Sequence, residues 1–174
     1  TPSPRPVERS LIPQPRGPGV LHVRAAFDLD GFADARLDFD GQGADITWGG
    51  RSWTGWRLSG HISPDGITVE QFTLTAQNDE LSARGRWLYP GLRPEVAVSA
   101  RLSPAGIRAW SPPEPWRAHH TRWNNVVTAP VHAEFTVGPH ANGSIGLQRL
   151  WLKADALSAF GLTVQALQAE ATFD

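Results

Sequence analysis

Residues 53–102 read WTGWRLSGHISPDGITVEQFTLTAQNDELSARGRWLYPGLRPEVAVSARL, and their periodicity decides the fold. Trp56, Leu58, Gly60 and Ile62 alternate with Arg57, Ser59 and His61, the period of two that a strand with one buried face requires. Ser63-Pro64-Asp65-Gly66 is a turn sequence. Beyond it Ile67 and Val69 continue one face, whereas Phe72, Leu74 and Ala76 fall one position out of phase. A β-bulge near Glu70-Gln71 absorbs that slip. Leu81, Ala83, Gly85, Trp87 and Tyr89 form the next apolar series, Pro90-Gly91 turns the chain, and Val96, Val98, Ala100 and Leu102 form another. The connections at 76–80 and 89–94 are too short for a crossover, so the strands are antiparallel and form a meander.

Upstream, Leu21, Val23, Ala25, Phe27 and Leu29 alternate with His22, Arg24, Ala26 and Asp28, and Leu37 and Phe39 with Arg36, Asp38 and Asp40. Residues 1–19 hold six prolines and no period, which predicts a Pro-rich arm or linker. Downstream, Ser103-Pro104 is an N-cap followed by a first-turn proline, predicting one or two helical turns that stop before Pro112-Pro113. Residues 111–125 lack a period and read as an irregular crossover. Strands resume at 131–137, 145–154 and 162–173, with a short helical turn expected within 154–160. The expected organisation is therefore an arm at 1–19 and a β domain at 20–174. That domain divides into a first meander (20–103), a helical or irregular crossover (104–125) and a second set of strands (126–174). The alternation runs to the last residue without a stop signal, which reads as a piece of a longer polypeptide. The fold class is mainly β: an antiparallel meander forming a curved sheet, a β-groove or an open sandwich, with one short helical crossover.

Composition narrows the function. Sixteen basic residues against 17 acidic ones leave a net charge of -1, without the basic excess that phosphate contacts demand, so nucleic acid is not an expected partner. The absence of cysteine removes disulfides, thiolate metal sites and a Cys nucleophile together. No apolar run approaches the roughly 18 residues of a membrane-spanning helix.

Few residue sets point to chemistry. Six aspartates lie between 28 and 45, and DLDGFAD has alternate oxygen ligands, but no complete calcium loop with a closing Glu follows. The wet face of a strand accounts for Asp28, Asp38 and Asp40. His119-His120, with His132 and His140, is the one candidate metal cluster, and it lacks HExxH or a two-His-one-carboxylate spacing. Glu70, Glu80, Glu95, Glu114 and Glu134 are available for a carboxylate pair, whose separation in space no sequence reveals. No nucleophile elbow, Walker loop or dinucleotide fingerprint occurs, so no catalytic residue, metal or cofactor is expected. Eight tryptophans group as Trp48, Trp53 and Trp56 around GGRS, Trp110, Trp116 and Trp123 in the crossover, and Trp87 and Trp151 on strands. Loop tryptophans either stack on sugars or seal the ends of a small β core.

Residues 53–110 resemble the AsmA/TamB-like proteins of bacterial envelopes. The resemblance is carried by Leu58-Ser59-Gly60, Phe72-Thr73-Leu74-Thr75-Ala76, Leu81-Ser82-Ala83-Arg84-Gly85-Arg86 and Ile107-Arg108-Ala109-Trp110, in the order of the elements of that family's repeats. It implies an elongated β-groove with an apolar concave side. In such a groove phospholipid acyl chains pass between the inner and outer membranes, or outer-membrane assembly is assisted. On that reading the chain is a periplasmic segment of a membrane-anchored parent. Its partners are phospholipid or another acyl-chain ligand, the rest of the parent and outer-membrane assembly proteins. Val23, Phe27, Leu74, Trp87, Val98 and Leu102 are then the lipid-facing residues. Two other readings are a secreted carbohydrate-binding β-sandwich using loop Trp residues, and a β-fold hydrolase whose carboxylates sequence does not identify.

Overall fold

The computed structural model describes residues 13–28, 31–91, 93–109, 126–159 and 162–173, without the side chains at 27–28, 31–34 and 159. In chain order the elements are β1 (Gln14–Pro15), β2 (Gly19–Asp28), β3 (Gly31–Trp48), β4 (Arg51–Ser63), β5 (Gly66–Ala76), β6 (Asp79–Leu88) and β7 (Arg93–Leu102). After them come α1 (Pro104–Ala109), β8 (Val131–Pro139), β9 (Ile145–Ala159) and β10 (Leu162–Thr172). All ten strands belong to one antiparallel sheet, each beside its neighbour in sequence, with β1 and β2 sharing the outer edge of β3. The sheet is open and does not close into a barrel. From β2 to β10 there are eight interstrand steps, which at about 4.8 Å each make it about 38 Å across.

The predicted meander is present as β4 to β7, and the predicted bulge is where the alternation slips. Val69 pairs with Gly85 and Phe72 with Ala83, so Glu70 and Gln71 together stand opposite Arg84 alone. The extra residue keeps Ile67, Val69, Phe72 and Leu74 on one side of the sheet, although their spacing changes parity. A second bulge does the same in β9. Thr136 pairs with Arg149 but Val137 with Leu147, which brings Leu147 back to the side of Leu150 and Leu152.

Two expectations are corrected. The helical turn expected within 154–160 is absent, because β9 continues as strand to Ala159 and pairs with Leu162. Continuous pairing to β10 along this stretch outweighs the helix propensity of its alanines. The arm reaches the sheet earlier than its prolines suggested. Gln14 and Pro15 pair with Thr47 and Ile46, and the N–H groups of Arg16 and Gly17 donate to the Asp45 carbonyl at 2.7 and 3.0 Å. An extended proline-rich backbone still offers carbonyls and its non-proline N–H groups to an open edge. The sheet is an open single layer, the first of the arrangements expected. Among the described residues, every extensive contact between elements joins hydrogen-bonded neighbours, apart from α1 against β7. Residues 1–12 and the crossover at 111–125 lie outside the described residues.

The core sits at one end of the sheet. Ile46, Trp53, Leu74, Ala76 and Leu81 are buried together, with Trp48, Trp56, Phe72, Val98 and Leu102 packed against them. Helix α1 abuts this end. Ser103 caps it as predicted, its Oγ accepting the Gly106 N–H at 3.1 Å.

Candidate functional site: the apolar face of the sheet

Directly paired residues of neighbouring strands share a face, so the register lists what each face displays. One row runs Gly19, Gly43, Trp56, Leu74, Leu81, Ala100, Ala133, Leu152, Ala169. The next runs Leu21, Gly41, Leu58, Phe72, Ala83, Val98, Phe135, Leu150, Ala171. A third runs Val23, Phe39, Gly60, Val69, Gly85, Val96, Val137, Leu147. None of these positions carries a charge or a hydrogen-bonding side chain, apart from the single indole N–H of Trp56.

The opposite face is the reverse. Gln42, Arg57, Thr73, Ser82, Ser99, Glu134, Trp151 and Glu170 form one row of it. Ion pairs lace this face: Arg36–Asp38 at 2.7 Å, Arg86–Glu95 at 2.6 Å and Arg149–Glu170 at 2.8 Å. The contact with Glu95 raises the already high pKa of the Arg86 guanidinium. These pairs are exposed, so they contribute solubility and register more than stability.

The residues expected to face lipid divide in two. Val23, Trp87, Val98 and Leu102 lie on the apolar face, and Val23 is 56% exposed. Leu74 also lies on that face but is 0% exposed. Its surface is taken by the surrounding core, so Leu74 is a core residue with nothing left to offer a ligand. Phe27 belongs to β2, and its side chain lies outside the described residues. Sequence reasoning left out Leu21, Leu58, Phe135 and Leu150, which complete the middle row. Alternation marked Leu21 and Leu58, but register alone lines them up with Phe135 and Leu150.

The end of the core holds a charged pair that the sequence did not announce. Arg51 Nη2 donates to Asp79 Oδ2, and the Ser103 N–H donates to Asp79 Oδ1. Both side chains are buried, at 10% and 4% exposure. The Arg51 guanidinium also lies 4.4 Å over the Trp53 ring. Burial pushes the Asp79 carboxyl pKa up, but hydrogen bonds from Ser103 and Arg51 and the Arg51 charge outweigh it, leaving it below its usual range. Gly106 is required here, because a Cβ on it would fall 2.0 Å from Asp79 Oδ2. This cluster fastens α1 to the sheet and has no open approach for a substrate.

The remaining candidates among the described residues lie in the core or, His132 beside Glu134 excepted, apart from one another. Trp48, Trp53 and Trp56 belong to the core, with Trp48 edge-on to Phe72 at 6.4 Å, whereas Trp110, Trp116 and Trp123 lie outside the described residues. His119, His120 and Glu114 also lie outside them, as do the side chains of Asp28, Asp30 and Asp34. His132 hydrogen-bonds with Ser99 Oγ at 3.1 Å and lies 3.4 Å from Glu134. Glu70 lies 3.4 Å from His61, and Glu95 is held by Arg86. Among the described residues no three metal-ligating side chains gather. No helix among them is long and apolar enough to cross a membrane. No protein-family profile, curated protein or solved structure matches this chain.

Proposed function

We propose that this chain is a segment of an AsmA/TamB-like envelope protein whose apolar sheet face binds, and passes along, the acyl chains of phospholipid between the inner and outer membranes. The observation that carries the reading is the row from Leu21 through Phe72, Val98 and Phe135 to Leu150 and Ala171. It crosses the whole sheet without a polar side chain, and among the described residues no second layer covers it. An apolar strip of that extent, half-buried for most of its length and without a second layer over it among the described residues, is unusual on a soluble monomer and suits a surface that receives something apolar. An acyl chain laid along it is stabilised by about 0.8 kcal/mol per buried CH₂. Such a role needs no catalytic side chain and no cofactor. It is a periplasmic role, with the rest of a membrane-anchored parent and outer-membrane assembly proteins as further partners.

The test is organic extraction of the purified chain, followed by titration with a fluorescent fatty-acid analogue. Co-purified phospholipid and saturable binding are expected. Leu150→Glu should abolish binding, whereas Thr68→Glu on the opposite face should not. If extraction yields no lipid and the fluorophore does not bind, the reading fails.

A further inference from the structure

The polar face carries one residue that its pattern does not explain. Trp151 stands between Arg149 and Lys153 on β9, opposite Glu134 and Glu170. Among the side chains described on strands of that face it is the one Trp, Tyr or Phe. It is half-buried and borders a depression of about 580 Å³, within the roughly 300–1,000 Å³ typical of small-molecule sites. Hydroxyls of Ser82, Ser99 and Thr136 line the same depression, with Arg84 and Glu134.

The indole is held in place. The His132 ring stands perpendicular to it, with ring centres 5.1 Å apart. His132 is itself fixed by Ser99 Oγ at 3.1 Å and lies beside Glu134. A braced aromatic surface beside hydroxyl, carboxylate and guanidinium groups fits one ligand chemistry well. A sugar ring offers a flat C–H face that stacks on an indole, and hydroxyls that both donate and accept hydrogen bonds. A bare phosphate would leave the indole unused, and an acyl chain would leave the polar groups unpaired.

We propose that this depression is a saccharide-binding site, with Trp151 as its stacking platform and Ser82, Ser99, Thr136, Arg84 and Glu134 as its polar rim. Ala83, Val98 and Phe135 of the apolar row also border the depression, but the proposal does not rest on the lipid reading, because Trp151 and its polar rim lie on the face opposite Leu150.

The experiment titrates the purified chain with chitohexaose, cellohexaose and maltohexaose, followed by isothermal calorimetry and saturation-transfer NMR. At least one hexasaccharide should bind saturably. Trp151→Ala should weaken it about tenfold or more, equivalent to at least about 1.4 kcal/mol. Trp151→Phe should retain part of the affinity, and Arg36→Ala, away from the depression, should retain all of it. Should Trp151→Ala fail to fold, Thr136→Arg fills the depression from β8 and must abolish binding. The proposal is overturned if none of the three sugars binds, or if binding survives Trp151→Ala or Thr136→Arg in a folded variant.

Discussion

Arg51 and Asp79, 28 residues apart in sequence, form a buried ion pair beneath α1. The pair joins the start of β4 to the start of β6. Through the Ser103 N–H it also ties both strands to the helix.

Removing one partner of such a pair leaves the other charged and unpaired. Asp79→Ala should therefore destabilise the domain by about 3–5 kcal/mol, read as a lower midpoint in urea unfolding. A loss under about 1 kcal/mol would show that the pair is not buried in solution.

The same carboxylate sets an acid limit. Its folded pKa lies below its usual value, so its contribution is complete above the unfolded-state pKa of about 3.9 and disappears as the pH falls through the lower folded value. Wild-type stability should drop below about pH 4. Asp79→Asn should flatten that part of the profile, measured by thermal unfolding at graded pH. An unchanged slope would assign acid sensitivity to other carboxylates.

Trp56 lies over strand positions that carry no side chain. A Cβ on Gly43 would fall 2.6 Å from the indole Nε1, and one on Gly19 would fall 2.8 Å from the same ring. Gly43→Ala should cost about 1–3 kcal/mol by overpacking and shift the tryptophan emission. Full stability in Gly43→Ala would mean that the ring rests elsewhere.

The sheet ends on an exposed strand. Among the described residues β10 pairs only with β9, and Leu162 and Val164 are 72% and 51% exposed. Open edges with apolar side chains template association with further strands, and an edge lysine opposes it. Val164→Lys should slow concentration-dependent self-association in light scattering. The same rate in wild type and variant would place the sticky surface elsewhere, with the apolar face as the next suspect.

On the apolar face, Phe135→Glu should reduce fatty-acid binding at least tenfold, since it places a charge in the middle row where an acyl chain would lie. Fluorescence titration of a variant with wild-type circular dichroism checks it. Unaltered affinity would move the binding surface off that row.

Much of this architecture is legible in residues 53–102, because period-two alternation reports directly which side chains share a face. Even the bulge at Glu70-Gln71 is readable, as Val69 and Phe72 change parity while both are apolar. β9 shows the limit. Leu147 and Leu150 also change parity around Gln148, but between polar and small neighbours the slip does not stand out. The alanines around 154–159 suit helix and strand alike, so only pairing with β10 decides them. The candidate site was less legible than the fold. The apolar face was visible, but Leu74 passed for a ligand contact because alternation does not tell a covered position from an open one.

By itself the sequence determined an antiparallel β-meander with one greasy side and a capped turn of helix at Ser103. Those properties are local, written in residues a few positions apart. Only the tertiary structure decided which apolar residues lie under the core and which lie open. It alone brought Arg51 to Asp79 and set Trp151 on the polar face beside its ring of hydroxyls. Each of these depends on register between strands distant in sequence, and register is fixed by the pairing of whole strands and their bulges.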